Sequence, residues 1–170
     1  MAEAGHGTVA KKIEGAANIG IVIIALLALG MFVKNYLRKP SEPKHIAVGE
    51  QLGLKNANWQ ASGNTIVFGI STTCHFCTES AGFYRELVQE CAAHHVQTIA
   101  TLPQPVDEAK RYLASEGVTV NEVRQVPLSE LKITGTPTLL LVDKKGTVQG
   151  VWVGKLPPDK EKEIMAKLGS

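Results

Sequence analysis

The sequence predicts an α/β domain with a mixed central sheet and helices on both faces, preceded by a single N-terminal transmembrane helix. Three observations carry this reading. Apolar runs of strand and helix periodicity alternate from Thr65 to Leu168. The turn Asp143-Lys144-Lys145-Gly146 joins two apolar runs and closes a hairpin, with a glycine free to take positive φ. An uncharged apolar run, Ala16 to Val33, stands ahead of everything else.

The N-terminus comes first. Residues 1–15 form a short polar tail without periodicity, expected to be disordered. As a helix, Ala16 to Val33 would measure ~27 Å at ~1.5 Å per residue, close to the ~30 Å hydrocarbon core. Its apolar residues lie all round, leaving no face for water. A buried core helix and a cleaved signal peptide are the rivals. Ala28-Leu29-Gly30 could pass for a cleavage site, but Met31-Phe32-Val33 continues the run. The reading adopted is a membrane anchor over residues 16–34, contacting lipid. Lys34, Arg38 and Lys39 after it outnumber Lys11 and Lys12 before it, which on charge alone would leave the following domain in the cytoplasm. The short leading segment and the redox chemistry argued below favour export, and that orientation is expected here: the inner membrane, with the domain on its periplasmic side.

A linker over residues 35–45, with Pro40 and Pro43, leads to a domain over residues 46–170. His45 to Gln60 reads as irregular, with extended pieces at Ile46-Ala47-Val48 and Gln51 to Leu54. Ser62-Gly63-Asn64 turns into a buried strand, Thr65 to Ser71. From Phe76 to His95 an apolar stripe of Phe83, Leu87, Val88 and Cys91 predicts a helix. A strand over Val96 to Leu102 follows. Pro105 opens a helix to Glu116 that Gly117 ends. Val118 to Val126 holds a short extended segment. The strands Thr138 to Val142 and Thr147 to Val153 make the hairpin, and Pro157-Pro158-Asp159 starts a last helix carrying Ile164, Met165 and Leu168.

Composition narrows the function. A net charge of +2, with Lys and Arg spread along the chain, excludes nucleic acid as a partner. Three cysteines, only two of them close together, do not make the framework of a small disulfide scaffold. Cys74-His75-Phe76-Cys77, between a strand and a helix, reads instead as a redox pair. A thiol at a helix N-terminus gains thiolate character from free amides and the helix dipole. Cys74 is thus the candidate nucleophile toward a partner's disulfide, and Cys77 the resolving thiol. His75, with Phe76 beside it, is a candidate for tuning the pair: a cationic imidazole near Cys74 would favour its thiolate. The alternative is an exposed loop histidine of slight effect.

The strand–Cys74-x-x-Cys77–helix unit and the Thr136-Pro137-Thr138 element before an apolar hairpin resemble the thioredoxin fold, from about Ile46 to Leu168. The resemblance implies that Pro137 is cis and stands beside the dithiol, and that Thr136 faces the substrate. With the N-terminal anchor, Gly135-Thr136-Pro137-Thr138 and the Asp143–Gly146 turn, the chain looks most like the TlpA/ResA-type tethered thioredoxins. That implies disulfide reduction outside the cytoplasmic membrane. Protein thiols and disulfides would be the partners, a membrane electron carrier the donor, and neither metal nor organic cofactor would be needed. The chain departs from the family pattern at Thr73, where tryptophan is usual, at His75-Phe76, and at Ser80, where an acidic residue is common.

Two other readings stand beside this one. Cys74, Cys77 and Cys91 with His94 or His95 imitate a four-ligand zinc site in spacing. A continuous helix, however, would set Cys77 and Cys91 ~21 Å apart. The other is a non-catalytic thioredoxin-like module that binds partners through the Pro137 groove without turnover.

Overall fold

The computed structural model describes residues 20, 23–34 and 45–169. The chain divides into two units, Met1–Glu42 and Pro43–Ser170. Of the first, residues 23–34 are helical (α1) and expose apolar side chains along their length, including Ile24, Leu27 and Met31. Among the described residues no helix is long and apolar enough to cross a membrane. The tail at 1–15, most of the anchor's first half and the linker up to residue 44 lie outside the described residues.

In the second unit, five strands form one sheet in the order β3-β2-β1-β4-β5. These are β1 (Asn64–Gly69), β2 (Gln97–Leu102), β3 (Glu122–Gln125), β4 (Thr138–Asp143) and β5 (Val148–Val153). β1 pairs in parallel with β2, as β2 does with β3, while β4 runs antiparallel to both β1 and β5. The mixed sheet is therefore as expected. The hairpin turn places Gly146 at φ +80°, where a Cβ would also meet the Trp59 indole at 2.8 Å.

The helices are α2 (His75–Glu79), α3 (Ala81–Ala93), α4 (Val106–Ser115) and α5 (Pro158–Leu168). The single helix expected from Phe76 to His95 is two, separated at Ser80. The Ser80 hydroxyl donates back to the Phe76 carbonyl at 2.7 Å, a local bond that bends helices.

The expectation of helices on both faces is corrected. Cys77, Phe83, Leu87, Cys91, Ala109, Leu113, Ile164 and Leu168, drawn from all four helices, share one core with Ile66, Phe68, Ala100, Leu139 and Trp152 of the sheet. The reason is topological. The chain steps the same way from β1 to β2 and from β2 to β3, and right-handed crossovers then put α3 and α4 on one face. α5 packs against α3.

The opposite face, with Val67, Ile99, Leu140, Val142 and Val148, is covered by Ile46, Leu52 and Leu54 of a strap before β1, and by Leu131 and Ile133. Only 3-10 turns occur here, at Trp59–Ala61 and Leu128–Leu131. The strap is sewn to the hairpin: Gly49 N–H donates to the Val148 carbonyl at 2.8 Å, and Leu52 N–H to that of Gly146 at 2.9 Å. Arg124 fastens its other end through the carbonyls of Lys55 and Asn56.

Candidate functional site: a dithiol at the end of the central strand

The site forms where β1 ends and the chain turns into α2. Cys74 is the N-cap of that helix, with extended backbone (φ −89°, ψ 111°), and its sulfur accepts the Cys77 N–H at 3.2 Å. A half-buried Cys74 therefore faces outward over a fully buried Cys77. All three cysteines are free thiols.

The two thiols of the pair are driven apart. Burial pushes Cys74 up, but the Cys77 thiol, the Thr136 hydroxyl and the amides of Cys77 and Phe76 outweigh it and hold Cys74 below its ordinary value. Cys77 is pushed up to about 12, first by burial and then by the neighbouring Cys74 sulfur; the Ser71 amide and Thr136 only partly offset this. The outcome is one partly exposed thiol inclined to ionise and one buried thiol that stays protonated.

Thr136 and Pro137 reach this pair from the start of β4, where Thr138 lies opposite Gly69 at the end of β1. The Thr136-Pro137 bond is cis, Thr136 is half-buried and Pro137 buried. Thr138 fixes the bend by donating its hydroxyl to the Gly135 carbonyl at 2.7 Å, and the Pro137 carbonyl accepts from Gly154 N–H at 2.7 Å. The strap holds the approach to this bend. Ile46 N–H bonds the Lys132 carbonyl at 3.0 Å, Lys132 pairs with Glu50, and His45 hydrogen-bonds Thr134.

His75 opens α2 directly after Cys74, and its ring pairs with Glu79. Its ring, largely exposed, sits 3.0 Å from Glu79, which also binds Lys155 at 3.0 Å. Phe76 acts on Cys74 through its amide, while its exposed ring stands over solvent. Cys91 lies wholly buried on α3, pushed up to about 12 by burial and then by Glu90. Among the described residues no group of three or more His, Cys, Asp or Glu side chains could hold a metal, so the zinc arrangement does not assemble there.

Several contributors escaped the sequence reading. Gln104 donates to the Ser71 hydroxyl at 2.8 Å, and Thr72 donates its hydroxyl to Glu108 at 2.7 Å. These bonds brace the loop that delivers Cys74 against the start of α4. The run of hydroxyls at Ser71-Thr72-Thr73 was the available signal; their partners, some thirty residues on, had none.

Three solved structures place this arrangement among known folds. A Chlorobium tepidum protein assigned as thiol:disulfide interchange protein DsbE is 21% identical, covering 73% of this chain and 99% of its own, at a TM-score of 0.57. The thioredoxin domain of a thiol-disulfide oxidoreductase from Bacteroides vulgatus is 14% identical over 74% of this chain and 99% of its own, with a TM-score of 0.57. Peroxidoxin BcpB from Mycobacterium tuberculosis is 14% identical over 73% and 97%, with a TM-score of 0.56. At these identities the likeness is one of fold. No curated protein sequence matches the chain. The thioredoxin-like domain family model matches residues 52–169, well over half of the chain and the whole of the sheet and its helices, and the protein belongs to that family.

Proposed function

We propose that this protein is a membrane-tethered thiol–disulfide oxidoreductase that reduces disulfides in protein substrates. The observation that carries the reading is the opposed pair of thiols: an outward Cys74 held low by four donors above a buried Cys77 held high. Such a pair is ready to attack in one position and protected from adventitious attack in the other. In the reaction, the Cys74 thiolate attacks a substrate disulfide, forming a mixed disulfide and expelling one substrate thiolate. Cys77 then loses its proton and attacks the Cys74 sulfur. The Cys74–Cys77 bond forms, the second substrate sulfur leaves and takes up a proton, and two electrons have passed to the substrate. Thr136, beside both sulfurs, and Pro137 form the platform on which the substrate segment lies.

The exposed apolar side chains of α1 support its role as the visible part of the anchor over residues 16–34. The domain then works on the periplasmic or outer side of the membrane, and a partner dithiol, such as a membrane electron carrier, re-reduces the pair.

The test is the reduction potential of the Cys74/Cys77 couple in defined glutathione buffers. A value near about −270 mV or below supports a reductase, and one near about −120 mV an oxidase. Absence of any reversible two-electron couple would sink the enzyme reading and favour a binding module.

A further inference from the structure

Cys74 is delivered by a turn that packing does not hold. Ile70 before it and Cys77 after it are buried, but no residue from Ser71 to Phe76 is. Hydrogen bonds take the place of packing. The Ser71 carbonyl accepts the Cys74 N–H at 3.1 Å, and the Ser71 hydroxyl accepts the Thr73 N–H at 3.4 Å. Both bonds are internal, so they give the turn a shape without fixing where it stands.

Gln104 supplies the external hold. Its side-chain N–H donates to the Ser71 hydroxyl at 2.8 Å, and its side-chain oxygen accepts the Thr72 N–H at 3.4 Å. The two ends of one planar amide thus grip two adjacent residues of the turn. Glu108 adds a second hold by accepting the Thr72 hydroxyl at 2.7 Å.

The backbone that presents Gln104 is stiff. It lies between Pro103 and Pro105, which restrict their own φ and the residue before them. The carbonyls of Thr101, Leu102 and Pro103 are bonded in turn by Ile70 N–H at 3.1 Å, Val126 N–H at 2.8 Å and the Gln125 side chain at 3.2 Å. Beyond Pro105, Ala109 and Leu113 seat α4 in the core. A fixed support therefore reaches a turn with no apolar anchor of its own. The consequence falls on Cys74, whose sulfur meets the Cys77 N–H at 3.2 Å from an extended N-cap backbone. That contact is among those that hold the Cys74 thiol low, and a swaying turn would weaken it.

We propose that Gln104 is a positioning residue for disulfide exchange: its amide anchors the Ser71–Cys74 turn to the end of β2 and keeps the Cys74 sulfur on the Cys77 N–H. Attack then starts from a sulfur already placed and already favoured as thiolate. The inference rests on the oxidoreductase reading above and alters none of its bond-making steps.

The experiment uses the reduced full chain and two probes, each followed by mass after an acid quench. Iodoacetamide across pH gives the inflection for Cys74, since Cys77 and Cys91 are buried. Glutathione disulfide at neutral pH gives the rate of attack, read as the Cys74–glutathione adduct. Gln104→Leu should raise the inflection and slow attack roughly threefold to tenfold, as for partial loss of a hydrogen bond to a charge. Ser71→Ala, which removes the hydroxyl from the same contact, should act in the same direction. The double variant should fall well short of the sum of the two, because both remove one interaction. Parent inflection and parent rate in Gln104→Leu, whatever its thermal stability, would overturn the inference and leave the oxidoreductase reading intact. Full additivity would also overturn it, since the two residues would then act separately. A parent chain that alkylates at Cys74 but forms no glutathione adduct would overturn the reading itself, and this inference with it.

Discussion

The two faces of the sheet are built by different means. The helical face is covered by four helices whose apolar stripes meet Phe68, Leu139 and Trp152. The other face is covered by a strap and 3-10 turns, held by backbone bonds to the hairpin and by the Arg124 clamp. Each face supplies one half of the site. The helical face brings Cys74 and Cys77; the strapped face holds the 132–136 segment, through Ile46, Glu50 and His45, so that Thr136 meets both sulfurs. Chemistry resides on the regular face, and alignment comes from the irregular one.

The comparison breaks first at the cysteines. Cys74→Ser should reduce disulfide exchange to the uncatalysed background, and Cys77→Ser should keep attack but accumulate mixed disulfides. Both are read by thiol release and non-reducing gels. Exchange persisting in Cys74→Ser would remove the helical face from the mechanism.

Next in size are matched deletions on the two faces. Leu87 and Leu131 are both essentially inaccessible, one under α3 and the other under the strap. Leu87→Ala and Leu131→Ala should each cost ~2–5 kcal/mol by denaturant unfolding. A much smaller loss for Leu131 would show that the strapped face yields where the helical face does not.

A pH effect should separate the faces further. Cys77 and Cys91, both on the helical face, are held protonated to about 12, against an ordinary 9.0. The unfolded chain ionises first, so the stabilisation is complete below pH about 9 and is lost as pH rises toward about 12. Unfolding of the reduced protein across that window should show falling stability, with a shallower fall in Cys91→Ala. A flat profile would mean that water reaches these thiols.

The smallest effect tests alignment. Thr136→Val keeps the shape and removes the hydroxyl that favours both thiolates. The inflection for alkylation of Cys74 should rise modestly with pH, leaving stability nearly unchanged. No movement would leave the strapped face a purely structural part.

The sequence by itself determined the parts whose information is local. Period-2 and period-3.6 runs marked the long strands and the helices, α2 and α3 as one run, because one buried face repeats at fixed spacing. Gly117 and Gly146 marked turns that take positive φ, at +68° and +80°. Cys74-x-x-Cys77 and Thr136-Pro137 were both legible as candidates. Tertiary structure alone decided the rest. Which face each helix covers follows from strand order, a long-range property, and so the expectation of two helical faces gave way to one. The break at Ser80 depended on a hydroxyl choosing the Phe76 carbonyl.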